Sequence, residues 1–133
     1  MLRKNDSSKK LTTSSLRIIG GQWKRRTISF IAVEDLRPTP DRVRETLFNW
    51  LQFEIQGQRC LDAFAGSGAL GLEALSRGAA ECVFMEKHSS QAKQLQQTLI
   101  DLGKPTPVLV GDTLLLLSKQ KTAFDVVFLD PPY

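Results

Sequence analysis

Metal-ligating side chains, long apolar runs and N-terminal acids are what this sequence has little of. One histidine, His88, and two cysteines, Cys60 and Cys82, stand among 133 residues. A zinc site draws on about four such ligands, so no metal is expected near either cysteine. Each cysteine opens an apolar, strand-like run, which makes both small buried side chains and not a disulfide pair. No apolar stretch is long enough to span a bilayer, no leader pattern opens the chain, and no internal repeat is present. A soluble, cytoplasmic domain is expected, and hydrophobic content of 41% with charged content of 24% is ordinary for one.

Acids are missing above all from the start. Residues 1–26 hold Arg3, Lys4, Lys9, Lys10, Arg17, Lys24, Arg25 and Arg26 against Asp6 alone. The net charge of the whole chain is +4, so the remainder is slightly acidic. Such asymmetry points to a polyanion bound by the N-terminal part, with a merely solubilising tail as the blander reading. Residues 1–15 mix Ser, Thr and Lys with little apolar content and read as a disordered basic tail. Residues 16–35 read as a β-hairpin: a strand over 16–19, a turn at Gly20-Gly21 and a strand over 22–31. It would carry Arg17, Lys24, Arg25 and Arg26, with Trp23 packed beneath.

Leu36-Arg37-Pro38 is extended, because a residue before proline avoids helix. Thr39 reads as a cap, with Pro40 and Asp41 in the first turn of a helix over 40–55. Its expected apolar face is Val43, Leu47, Trp50 or Leu51, and Ile55. Arg37, Arg42 and Arg44 cluster at its start, where they either meet phosphates or pair with Asp41 and Glu45.

Residues 36–133 then read as one α/β domain. Strands are expected over 59–64, 81–86, 106–110 and 124–130, and helices over 69–77, 89–102 and 113–121. Near-continuous apolar strands alternating with helices mean a parallel sheet covered on both faces. In such a sheet the ligand lies beyond the carboxyl ends of the strands, and here every strand ends in something polar. The first gives Asp62, then the Gly66-x-Gly68-x-x-Gly71 turn. The second ends at Glu86, twenty residues after Gly66, the spacing at which an acid reaches ribose hydroxyls. The third leads into Gly111-Asp112, and the fourth into Asp130-Pro131-Pro132-Tyr133. The glycine loop alone leaves a nicotinamide dinucleotide and S-adenosylmethionine both open.

Asp-Pro-Pro-Tyr resembles the (Asp/Asn)-Pro-Pro-(Tyr/Phe) tetrapeptide of S-adenosylmethionine-dependent amino-methyltransferases. An exocyclic amine is a poor nucleophile, because its lone pair is delocalised into the ring. The Asp130 carboxylate and the Pro131 carbonyl can each accept one N–H and favour a pyramidal nitrogen. Two prolines fix the backbone without a competing N–H, and Tyr133 can stack on the base.

With these residues the chain, from about residue 16 onward, resembles the bacterial 16S rRNA guanine-N2 methyltransferases. The particular stretches are Arg17-Ile18-Ile19-Gly20-Gly21, Leu36-Arg37-Pro38-Thr39 and Asp41-Arg42-Val43-Arg44-Glu45-Thr46-Leu47-Phe48. The resemblance implies a Rossmann-like methyltransferase fold with a small N-terminal β-hairpin. It implies S-adenosylmethionine as cofactor and a guanine of 16S rRNA in the small ribosomal subunit as substrate, acted on by a monomer. Asp62, Gly66 and Gly68 would border the methionine part of the cofactor, with Phe64 and Ser67 completing that loop. Glu86 would hold ribose, Asp112 the adenine amine, and Asp130 with Tyr133 the target base. The basic residues of the hairpin and of the first helix would meet RNA. The family often has a glycine after Trp23, where this chain has Lys24-Arg25-Arg26-Thr27. Family members also continue with further strands, so the sheet is expected to be partial, truncated after strand four, with weak or no methyl transfer by this chain alone. A DNA adenine-N6 methyltransferase and a non-catalytic RNA-binding remnant are the other readings.

Overall fold

The computed structural model describes residues 12–32 and 38–131. Residues 1–11 of the expected tail, Arg37, Pro132 and Tyr133 lie outside them. The chain forms β1 (Thr12–Arg17), β2 (Thr27–Ala32), α1 (Asp41–Trp50), β3 (Arg59–Asp62), α2 (Ala69–Ser76) and β4 (Glu81–Glu86). It continues as α3 (Ser89–Asp101), β5 (Val108–Val110), α4 (Thr113–Ser118) and β6 (Val126–Phe128). β1 and β2 pair antiparallel, with Arg17 opposite Thr27. The other four strands form a parallel sheet in the order β5-β4-β3-β6. The chain therefore runs outward from β3 to β5 and returns across β3 to β6. The order reverses between β3 and β6, where an open α/β sheet leaves a crevice at its carboxyl edge.

The two faces of the sheet follow the period of two expected of strands. Cys60, Cys82, Phe84, Val108 and Phe128 face the larger core, with Phe48, Leu72, Leu95 and Leu99. Leu61, Ala63 and Met85 face the smaller one, under Leu116, Leu117 and Phe124. All eight residues of α2 are buried. A helix covered all round needs cover on both sides, and the second cover is the N-terminal hairpin.

That docking is polar as well as apolar. Glu73 of α2 is fully buried, and its carboxylate accepts from the N–H groups of Ile19 at 3.0 Å and Gly20 at 2.8 Å. Ser76 Oγ donates to Gly20 O at 2.6 Å and accepts from Trp23 N at 2.9 Å, while Gln22 N donates to Ser76 O at 2.8 Å. Gly21 has φ +80°, and a Cβ there would lie 2.0 Å from Ser76 O. Only glycine fits both that dihedral and that approach. Farther along, the Gln91 amide of α3 accepts from Ile31 N at 2.9 Å and donates to Ile31 O at 2.8 Å, holding β2 as a neighbouring strand would.

Several sequence expectations are corrected here. β1 begins at Thr12, so residues 12–15 of the expected disordered tail are strand, paired with β2. Residues 22–25 form a turn and not the start of β2, because Trp23 folds inward to 6% exposure and its N–H goes to Ser76. α1 ends at Trp50, and its buried residues are Arg44 and Phe48, with Leu47 and Leu51 partly buried beside them. Val43 and Trp50 point outward. Thr39 makes no cap; the capping position is Pro40, without a side-chain bond. β3, β5 and β6 are shorter than the strands expected over 59–64, 106–110 and 124–130, since β3 pairs only as far as Asp62 and β6 only as far as Phe128.

Candidate active site at the carboxyl edge of the sheet

β3 ends at Asp62, whose side chain is 1% exposed. Its Oδ2 accepts from Gly71 N at 3.0 Å, so the carboxylate spans the glycine turn from below. Burial pushes the Asp62 carboxyl up to about 7, the Gly71 N–H opposes that, and the charges of Asp130 and Glu86 add to it. Above it the chain passes half-buried Phe64 and Gly66, then buried Ser67 and Gly68, and enters α2. Ser67 Oγ accepts from Ala69 N at 3.2 Å, satisfying one free donor of the first turn. Gly68 has φ +85°, and a Cβ on it would lie 2.4 Å from a Leu95 methyl.

β4 ends at Glu86, 7% exposed. Its Oε1 accepts from Gly66 N at 2.7 Å and its Oε2 from His88 N at 2.9 Å, with His88 Nδ1 at 3.0 Å from the same oxygen. The spacing that joined Glu86 to the glycine loop in sequence is thus a direct contact. A carboxylate has about four lone-pair positions, so two backbone donors leave room for hydroxyls of a ligand.

Gly111 N donates to Glu86 O at 3.0 Å, which carries the end of β5 alongside β4. Asp112 is exposed and caps α4, accepting from Leu115 N at 3.2 Å. Buried Thr113 donates to Ala63 O at 2.6 Å and ties α4 to the end of β3. On the other side Ala63 N donates to Phe128 O at 3.1 Å, so β6 delivers Asp130 next to the glycine loop. Asp130 is exposed, and its Oδ2 accepts from Thr39 Oγ1 at 2.5 Å. Pro131 follows, half-buried. The edge thus gathers Asp62, Gly66 to Gly68, Glu86, Asp112 and Asp130, while the expected Tyr133 lies outside the described residues.

The expected phosphate-binding residues divide. Arg17, Lys24, Arg25, Arg26 and Arg42 are exposed. Arg44 is not: it is 1% exposed and its guanidinium is spent inside. Nη1 donates to Arg17 O at 3.1 Å and to Glu73 Oε1 at 3.4 Å, Nε to Thr39 O at 3.3 Å, and Nη2 to Asp41. Arg77 completes the cluster, with Nε 2.7 Å from Glu73 Oε2. With Asp41 the cluster sets two carboxylates against two guanidiniums, and Arg44 holds the hairpin to α1 instead of meeting a ligand.

Sequence reading passed over two side chains of this region. Thr39 was taken for a cap, although a hydroxyl beside an Arg-Pro bend is equally free to bond across the fold. Glu73 sits in an apolar helix, and that isolation is the signal that it has a buried partner.

A family sequence model described as conserved hypothetical protein 95 matches residues 16–133. The ribosomal RNA small subunit methyltransferase D of Escherichia coli is 47% identical over 122 residues, covering 91% of this chain. The chain spans only 62% of that relative's length. The solved structure of Escherichia coli yhhF superposes with a TM-score of 0.82 at 46% identity, over 90% of this chain and 66% of that one. A 16S rRNA N2 G1207 methyltransferase of Thermus thermophilus, solved with AdoMet and guanosine, matches at 25% identity with a TM-score of 0.70, over 92% of this chain and 33% of that one.

Proposed function

The chain belongs to the conserved hypothetical protein 95 family, and from that premise we propose that it serves methyl transfer from S-adenosylmethionine to the exocyclic N2 amine of a guanine in 16S rRNA. The observation that carries the reading is Asp130-Pro131 at the end of β6, one strand away from the glycine loop at the reversal of strand order. The names of the Escherichia coli and Thermus thermophilus relatives support both the donor and the substrate.

The residues present fit the cofactor. Glu86 keeps lone pairs free for ribose hydroxyls beside the Gly66 N–H that it already holds. Asp62 is a buried carboxylate that a cationic amino-acid group would relieve. Asp112 stands at the neighbouring strand end, in reach of an adenine amine. Bound there, S-adenosylmethionine supplies an electrophilic methyl group on a sulfonium.

The chain's own task is to hold the amine in line with that methyl. The Thr39 hydroxyl occupies Asp130 Oδ2, and in this reading Oδ1 accepts one amine N–H. The Pro131 carbonyl accepts the other, and the lone pair is freed for attack. Fixed dipoles and alignment carry such a displacement, and the amine acidifies as it is alkylated. The target guanine must leave its stack to enter the crevice. The exposed cations Arg17, Lys24, Arg26 and Arg42, together with Arg37 and an aromatic face from Tyr133, complete the RNA-binding side of this reading, which belongs to the cytoplasm, where small subunits assemble.

Calorimetry with S-adenosylmethionine tests the cofactor half. Wild-type chain binds it, and Glu86→Ala weakens binding at least about tenfold through lost charge-assisted hydrogen bonds. Asp130→Ala leaves that affinity intact and removes the weak tritiated methyl transfer to small subunits that this partial chain retains under this reading. No cofactor binding by wild type overturns the reading, and transfer into duplex DNA in place of rRNA moves it to the adenine-N6 class.

A further inference from the structure

A ribose presents its 2′- and 3′-hydroxyls as a cis-diol, two donors side by side. A carboxylate meets such a pair with one free position on each of its oxygens, and each oxygen has about two lone-pair positions. Glu86 Oε1 uses one on Gly66 N at 2.7 Å and keeps the other. Oε2 uses both, one on His88 N at 2.9 Å and one on His88 Nδ1 at 3.0 Å. A carboxylate oxygen only accepts, so Nδ1 carries the hydrogen of that contact. The His88 ring therefore stands where the second hydroxyl of a diol would bond. The helix that follows does not explain this placing. His88 is the capping residue of α3, yet its side chain makes no cap bond, at a position where Ser, Thr, Asp and Asn are the residues that serve. Among the described residues the ring bonds to Glu86 alone. The His88 side chain is 61% exposed and that of Glu86 8%, so the ring is free to swing outward while the carboxylate stays fixed.

We propose that His88 is an internal competitor for the ribose-binding acid. Its ring holds the place on Glu86 Oε2 that the second hydroxyl of a cis-diol takes, and the ligand displaces it on binding. The exchange is one hydrogen bond for another. Nδ1–H leaves Oε2 for water, and the hydroxyl takes its position, so the worth of the His88 bond is subtracted from the affinity for any ribonucleoside. A ligand with a single hydroxyl needs only the free position on Oε1 and leaves the ring where it is. His88 thus narrows the margin by which the site prefers a ribose to a deoxyribose. This rests on the ribose role given to Glu86 above, and it adds what that role does not require: a residue of the site whose removal improves binding.

Calorimetry with adenosine tests this, because adenosine brings the diol without the methionine cation that would engage Asp62. His88→Ala takes no cap bond from α3, so the variant is expected to fold as wild type does. It is expected to bind adenosine about fivefold more tightly than wild type, the net worth of one hydrogen bond. That gain is expected to vanish with whichever of 2′-deoxyadenosine and 3′-deoxyadenosine lacks the hydroxyl that faces Oε2. His88 is the one histidine of the chain, so proton NMR reads its ring without assignment, and its resonances are expected to move as adenosine saturates wild type. A gain of equal size for adenosine and both deoxy forms makes the ring simple bulk and overturns the proposal. So does His88→Ala binding at or below the wild-type affinity, and so do ring resonances that stay in place while adenosine binds. Wild type that binds S-adenosylmethionine, with no gain in His88→Ala, removes the competitor and leaves the cofactor reading standing. Neither ligand binding to either protein removes both.

Discussion

Asp62→Asn should flatten the pH dependence of stability. In the folded chain the Asp62 carboxyl sits at about 7, against 3.8 for an unperturbed aspartate. Between those values the folded state keeps a proton that the unfolded state has released. The folded state binds more protons there, so stability falls as pH rises through the window. Each pH unit within it is worth about 1.4 kcal/mol. From about pH 5 to about pH 8 the wild-type chain should lose on the order of 2–3 kcal/mol through this one group. Asparagine keeps an oxygen for Gly71 N and has no proton to lose, so the variant should lack that slope. Urea unfolding at four pH values measures it, and a difference of this size moves the midpoint by about 1 M or more between the extremes. Other groups titrate in both proteins, so the informative quantity is wild type minus variant. Parallel profiles would refute the claim that Asp62 is held protonated by burial. The same group gives the cofactor site a signature. A bound cation favours the ionised form, so S-adenosylmethionine should bind wild type more tightly above pH 7 than below it, and Asp62→Asn should lose that trend.

Gly21→Ala places a methyl 2.0 Å from Ser76 O at a dihedral that alanine avoids, so it should cost more than about 2 kcal/mol in urea unfolding. Unchanged stability would mean that the turn does not dock on α2. Arg44→Met leaves Glu73 with only Arg77 and should destabilise by about 3 kcal/mol, with the salt slope of RNA binding unchanged. A reduced slope would show that Arg44 meets RNA after all.

The alternation of strand and helix was legible because each parallel strand is a nearly unbroken apolar run with a polar stop. Glu81–Glu86 came out with the boundaries expected of it, since Gly78 and Lys87 bracket four apolar residues. The strand ends were legible for the same reason: Asp62, Glu86, Asp112 and Asp130 each break such a run. The face of α1 was not. Counting only apolar residues selects Val43, Leu47, Trp50 or Leu51, and Ile55; Leu47, Leu51 and Ile55 do turn inward, but Val43 and Trp50 face out, and the fully buried residues of the helix are Arg44 and Phe48. Arg44, read as meeting phosphates or pairing with Asp41 and Glu45, does pair with Asp41, but its buried partner Glu73 lies 29 residues away, where no local pattern registers it. The turn at 22–25 was missed likewise. Its apolar Trp23 reads as strand until Ser76, 53 residues on, supplies the acceptor that bends the backbone.

The bond between Thr39 and Asp130 joins positions 91 apart in the chain. On a translating ribosome, adding residues at about 5–20 per second, Thr39 waits on the order of 5–20 s for its partner. The glycine loop, Glu86 and the docked hairpin are complete well before that. A nascent chain can therefore bring Gly66 and Glu86 together while Asp130 has yet to be synthesised. Throughout that interval β3, which lies between β4 and β6, keeps one flank of backbone groups unpaired. Order of synthesis thus places Asp130 at the crevice later than the glycine loop and Glu86, and makes the open flank of β3 the part in need of shelter until β6 pairs with it.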